Sequence, residues 1–241
     1  MTVPHVHKLP VEILQHIFHC CCSPGVLDTR QVKHNAVLPL VQVCSRWRQL
    51  LLHTPMFWDK VTISGDSLSQ LSLASLWLSR AGLRPRSLSI TYCGPAAPIQ
   101  SLIAQFPFSK IDLITCGDAE KLEFSEIPIE SLLPVRIFSL DTASDSPQLS
   151  LGDHSFPNLS VVEIYRYFDP FSTLVTSKTI EALRIDKPVP ISVCSEILRS
   201  AINLQELNLA VDDAERATSI QDVVAPNLTA FRRRIRFWVT Y

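Results

Sequence analysis

The sequence predicts an α/β protein: a short helical unit at the N-terminus, followed by a repeating array of strands and helices. Three observations predict it. Apolar residues before position 60 recur at helical spacing. Beyond position 85, short apolar strands return at steps of 21 to 27 residues. Prolines 107, 134, 157 and 226 stand just ahead of four of those strands, where they stop one element and set up the next.

Composition narrows the function classes. The chain has 241 residues, 46% hydrophobic and 19% charged, with a formal net charge of −1. That charge gives no global pull toward nucleic acid or an acidic membrane. No apolar run approaches the roughly 18 to 20 residues needed to span a bilayer, and "MTVPHVHKLP" lacks the basic-then-apolar order of a signal peptide. The expectation is a protein of the cytoplasm, the nucleus or both. Seven cysteines, three of them adjacent (Cys20, Cys21, Cys22), make no disulfide framework. The six glycines are too dispersed for a phosphate-cradling loop. HExxH, GxSxG and paired CxxC motifs do not occur, so no catalytic residue is nominated and the chain is not read as an enzyme. No cofactor is expected.

Residues 9–18, "LPVEILQHIF", predict the first helix. Pro10 suits the first helical position, where a missing N–H costs nothing. Glu12 falls where the helix dipole favours a negative charge. Ile13, Leu14, Ile17, Phe18 and Cys21 form one apolar stripe, and Ser23-Pro24-Gly25 stops it. After the polar stretch "LDTRQVKHN", Leu40, Val43, Cys44, Trp47, Leu50 and Leu51 predict one second helix begun by Pro39 and ended by His53-Thr54-Pro55. In it, Trp47 lies within the stripe and fills the junction between the two helices, while Arg46 and Arg48 flank it in solvent. Two such helices cannot bury their own apolar faces, so the unit must lean on the later chain, on a partner, or on both.

The phrases Leu9-Pro10-x-Glu12-Ile13-Leu14 with Ile17-Phe18, then Val43-Cys44-x-Arg46-Trp47, then Pro55-x-x-Trp58, resemble the F-box. They are most similar to the F-box-like domains numerous in mushroom-forming fungi, where "LPxEILxxIF" and "VCxxWRxLAxxTPxLW" flank a variable insert. Val11 and Leu52 depart from that pattern. The resemblance implies docking to the small Skp adaptor and, through it, to a cullin scaffold. Carried over, it puts Leu9, Pro10, Ile13, Leu14, Ile17, Val43 and Trp47 at the adaptor; the plainer reading makes them core. The boundaries drawn are a helical domain over 1–63 and a second domain over 64–241.

In the second domain the strand anchors run Leu88, Ile111, Phe138, Val162, Leu183, Leu207 and Phe231. Each of the first six pairs with an apolar residue two further on, and Arg233 breaks the series. Helices are predicted between them in "PIQSLIAQF" and "VCSEILRSAI", with "SIQDVV" ending another, and 68–80 is the joining helix (Leu68, Leu71, Ser75 and Leu78 on one side) capped by Gly82. The period resembles divergent leucine-rich repeats forming an α/β solenoid. Cys93 and Cys116 take the position after the strand that such repeats give to asparagine or cysteine, and "PNL" and "LQELNL" are the best-matching phrases. The ending "FRRRIRFWVTY" is read as a charge-guarded edge strand or a truncated chain, with a nuclear-import patch as a third reading.

Target binding is expected on the open strand face, at Ser89, Asp112, Ser139, Glu163, Arg184 and Asn208, or at the Tyr165, Arg166, Tyr167, Phe168 loop, since aromatics and arginine are enriched at hot spots. Against this stands plain solvation of those side chains. His16 with Cys20 to Cys22 lacks the second ligand pair that structural zinc needs, so no metal is assigned. The expected role is a substrate-recognition adaptor of a ubiquitin ligase. The alternatives are an interaction scaffold outside any ligase, and an enzyme with an unfamiliar site.

Overall fold

A computed structural model describes residues 8–22, 26–92, 94–115, 124–142, 156–165, 178–189, 191–211 and 227–235. Among them, nine parallel strands form one open sheet in which spatial order equals chain order. They are β1 (Leu27–Asp28), β2 (Lys60–Gly65), β3 (Arg86–Tyr92), β4 (Phe108–Thr115), β5 (Ile137–Thr142), β6 (Val161–Ile164), β7 (Ala182–Val189), β8 (Glu206–Val211) and β9 (Ala230–Ile235). The helices are α1 (Val11–Cys22), α2 (Val37–Val43), α3 (Ser45–Leu52), α4 (Leu68–Ser79), α5 (Ala96–Gln105), α6 (Ile129–Leu132) and α7 (Ile191–Ser200).

The anchor residues pair directly. Leu27, Val61, Leu88, Ile111, Phe138, Val162, Leu183, Leu207 and Phe231 each face the next across the sheet. Side chains on a strand alternate between faces, so this register puts the anchors from Leu27 to Leu207 on one side. From Val61 to Leu209 the anchors and their partners two residues on are buried in one core cluster; α4 packs on β2, and α4, α5 and α6 pack in series. The intervening residues form the opposite, open face.

Side chains reinforce each step from one strand to the next. Asn158, Asn203 and Asn227 each donate from Nδ2 to a carbonyl 25 residues earlier: Leu133 at 2.8 Å, Lys178 at 2.7 Å and Ile202 at 2.9 Å. Each asparagine stands four residues before an anchor (Val162, Leu207, Phe231), so one turn chemistry recurs with the fold's period. Ser109, Ser160 and Thr229, two residues before an anchor, donate from their hydroxyls to carbonyls 23, 24 and 24 residues earlier, Arg86 O, Arg136 O and Gln205 O.

The first edge is closed by a side chain. Asn35 Oδ1 accepts the Asp28 N–H at 3.0 Å, and its Nδ2 donates to Asp28 O at 3.1 Å. The buried amide thus acts as a one-residue strand, masking backbone groups that would otherwise invite another chain.

Several predicted elements differ. The first helix begins after Pro10, whose carbonyl accepts the Leu14 N–H at 3.1 Å, and it runs on to Cys22. The second helix is two. Cys44 is extended (φ −159°, ψ 167°), and its Sγ accepts the Trp47 N–H at 3.5 Å, making it the cap of α3 rather than a stripe residue. The polar stretch after α1 contributes β1, so this segment joins the sheet. On α4 the buried face is Leu71, Ala74, Trp77 and Leu78, with Leu68 exposed. The C-cap of α4 is Arg80 rather than the expected Gly82, which lies two residues further on with φ +59° in the following turn. Ile202 lies past α7 and is exposed. The expectations for Ser23 to Gly25, Cys93, Cys116, "SIQDVV" and the last six residues fall outside the described residues.

Arg86, a buried charge, explains the turn into β3. Its Nε donates to Leu78 O at 3.1 Å and its Nη2 to Gly82 O at 2.6 Å, at the C-terminal end of α4, where a cation is favoured. The Phe106 ring lies 5.2 Å from its guanidinium carbon. Burial pushes its pKa below the ordinary arginine value.

Candidate docking site

α1 has two faces of opposite use. Leu14, Phe18 and Cys22 enter the core. Phe18 meets Trp47 of α3 edge-to-face, with ring centroids 4.8 Å apart, a pairing that adds about 0.5–1.5 kcal/mol beyond area burial. On the outer side Ile13 is 48% exposed and Ile17 39%, a helical turn apart on one stripe. Val43, at the end of α2, is 59% exposed. Pro10 is exposed, and Leu9 is half-buried, packed in part against the core.

The helices are tied at their starts. Arg46 Nη2 donates to Leu9 O at 2.6 Å, joining the entry of α1 to the first turn of α3. Arg48 Nε donates to Val41 O at 3.1 Å, bracing α3 on α2. Thr54 Oγ1 donates to Leu50 O at 2.6 Å and accepts from Gln15 Nε2 at 3.2 Å. Trp58 is fully buried, and its indole N–H donates to Leu51 O at 2.8 Å.

A family model described as F-box-like matches residues 6–64. This segment is an F-box-like domain. No curated protein matches the chain.

The geometry sorts the residues named from sequence. Ile13, Ile17, Val43 and Pro10 stand open on the F-box-like domain, and Leu9 contributes part of its surface. Leu14 is corrected: at 1% exposure it belongs to the chain's own core and has nothing to offer a partner. Trp47 is half-buried against Phe18, as the junction reading expected. Of its flanking arginines Arg48 is exposed, as expected, and Arg46 is half-buried; each also donates to a backbone carbonyl. The Trp47 indole N–H is buried and meets no acceptor among the described residues. Sequence reasoning missed Val11, an exposed apolar residue in the first turn of α1. Its place off the Ile13–Ile17 stripe hid it.

On the open sheet face, Ser89, Asp112, Ser139, Glu163, Arg184 and Asn208 stand in one cross-strand row. Ser139 differs from the expected solvated position. It is buried, and its hydroxyl donates to Glu163 Oε2 at 2.9 Å. Tyr165 donates to the same oxygen at 3.1 Å, and its ring lies 5.8 Å from the Arg184 guanidinium carbon. Burial pushes the Asp112 carboxyl above its ordinary value. Glu163 and Asp141 add to the rise, while Lys110 and the Ser89 hydroxyl oppose it. A shallow groove of about 190 Å³ lies between Glu163, Arg184, Glu206 and Asn208. Arg166, Tyr167 and Phe168 fall outside the described residues.

Among the described residues there is no group of three or more His, Cys, Asp or Glu side chains placed to hold a metal ion. No helix among them is long and apolar enough to cross a membrane.

Proposed function

We propose that the chain is a substrate-recognition adaptor of a Skp–cullin–F-box ubiquitin ligase. F-box domains generally bind the Skp adaptor and through it a cullin, and residues 6–64 are such a domain. The observation that carries the reading is the outer face of α1. Ile13 and Ile17 remain exposed although Leu14 and Phe18 of the same helix are packed in the core, which is the arrangement a docking helix needs. In this role the chain holds and presents a target, ubiquitin transfer is done elsewhere in the complex, and the protein works in the cytoplasm, the nucleus or both.

The sheet supplies the other half of the reading. Its steps of 21 to 27 residues, in-register anchors and recurring asparagine bonds support divergent leucine-rich repeats stacked as a solenoid. In the proposal the open face from Ser89 to Asn208, with Tyr165, receives the target protein.

Co-purification of the full chain with the Skp adaptor and cullin tests this, beside an Ile13→Asp/Ile17→Asp variant. Both side chains are exposed, and circular dichroism checks that the variant folds as the wild type does. Loss of two central anchors costs about 2 kcal/mol or more, roughly a 30-fold loss of affinity. A folded wild-type chain that does not bind the adaptor rejects the ligase role and leaves an interaction scaffold.

A further inference from the structure

The exposed face of α1 carries more than apolar anchors. Positions 13, 16, 17 and 20 share one side of a helix, and Ile13, His16, Ile17 and Cys20 are all exposed there. Within that set Cys20 Sγ lies 3.8 Å from His16 Nε2, one turn back, within range of a sulfur hydrogen bond. Its neighbours are placed differently. Cys21 is exposed without that imidazole contact, and Cys22 is buried, where burial first and Cys21 second push its thiol above the ordinary value and keep it protonated.

We infer that Cys20, with His16 as its base, is a thiol-modification site that closes the docking face when it reacts with a low-molecular-weight disulfide. The inference rests on the docking role proposed above. The thiolate is the attacking form, and the imidazole nitrogen at 3.8 Å takes the thiol proton as the sulfur attacks. A bond forms between Cys20 Sγ and one sulfur of the disulfide, and the disulfide's own S–S bond breaks. The departing thiolate takes up a proton and leaves as a free thiol. Cys20 is oxidised to a mixed disulfide, the small disulfide is reduced by the same two electrons, and no further oxidant is needed. With glutathione disulfide, the group left on Cys20 is a charged tripeptide standing between Ile13 and Ile17 and an incoming partner. Reduction by another thiol removes it, so the block is reversible.

The test treats the full chain with glutathione disulfide, follows each cysteine by peptide mass spectrometry, and measures affinity for the Skp adaptor before and after. Cys20 is expected to react about tenfold faster than Cys21, and His16→Gln to remove most of that advantage, as befits a positioned base. Affinity is expected to fall at least about tenfold on modification and to return with reductant, whereas in Cys20→Ser it no longer responds to the disulfide. Equal rates at Cys20 and Cys21, or a His16→Gln variant that reacts as fast as the wild type, overturn the site. A chain modified at Cys20 that binds the adaptor unchanged overturns the closing of the face. The rates need no adaptor, so a reduced chain that fails to bind it counts against the ligase role and leaves the reactive site to be judged by mass spectrometry alone.

Discussion

Trp47 and Trp58 show how two like residues in one small domain come to differ. Trp58 is fully buried and its indole N–H is satisfied by Leu51 O. Trp47 packs on Phe18 while its buried N–H has no acceptor among the described residues. Trp58→Phe therefore removes the indole donor to Leu51 O, which keeps the longer bond from the Thr54 N–H at 3.3 Å, and opens a void, and should lower unfolding free energy by about 2–4 kcal/mol. Trp47→Phe keeps the aromatic contact and removes an orphaned donor, so its cost should stay below about 1.5 kcal/mol. Urea denaturation of the two variants measures the difference, and equal losses would contradict it.

Asp112 belongs to the same scale. Its folded-state pKa is raised, so the folded chain holds that proton more tightly than the unfolded chain does. The group's contribution to stability is then fully present at low pH and lost as pH rises through the folded value. Asp112→Asn should raise the melting temperature at neutral pH, with the gain fading as pH falls into the carboxylate range. A gain that is constant across pH would point to a cause other than this ionisation.

At the scale of elements, the strand–helix unit is held by bonds that span one repeat. Asn203 Nδ2 reaches Lys178 O in the turn before β7, so Asn203→Ala should cost about 0.5–1.5 kcal/mol. The substitution should also speed amide hydrogen exchange around Lys178 and Thr179, the turn that loses its partner. Unchanged exchange there would mean that the recurring asparagines are incidental. These elements also show what was legible beforehand. The anchors Leu88 to Phe231 were readable because a buried strand position needs an apolar residue at each step, and the structure pairs them in that register. The break at Cys44 was not readable. Periodicity sees only apolar spacing, and a cysteine capping through sulfur keeps that spacing intact. β1 escaped for a related reason: two residues, Leu27 and Asp28, are too short for any alternation to show, and their strand state depends on β2 and Asn35.

The whole molecule explains why α1 can be two-faced. Its inner residues Leu14 and Phe18 belong to one core cluster that continues through Val61, Leu88 and Phe138 to Leu209. The boundary drawn from sequence between residues 63 and 64 falls within β2, which pairs with both β1 and β3. The F-box-like domain thus buries its inner face on the sheet that follows, and this supplies the support two short helices lack. That support leaves the opposite face free. Of the residues named from sequence, the pattern alone could not separate Leu14 from Ile13, since adjacent positions on one apolar stripe divide between core and surface only once the sheet's position is known.

Side-chain oxidative footprinting of the full chain, with and without the Skp adaptor, tests the two-faced helix most directly. The prediction is that Ile13, Ile17 and Val43 are reactive in the free chain and become protected on adaptor binding, while Leu14 and Phe18 are unreactive in both. An adaptor complex in which Ile13 and Ile17 stay as reactive as in the free chain, or a free chain in which they are already shielded, would contradict the account.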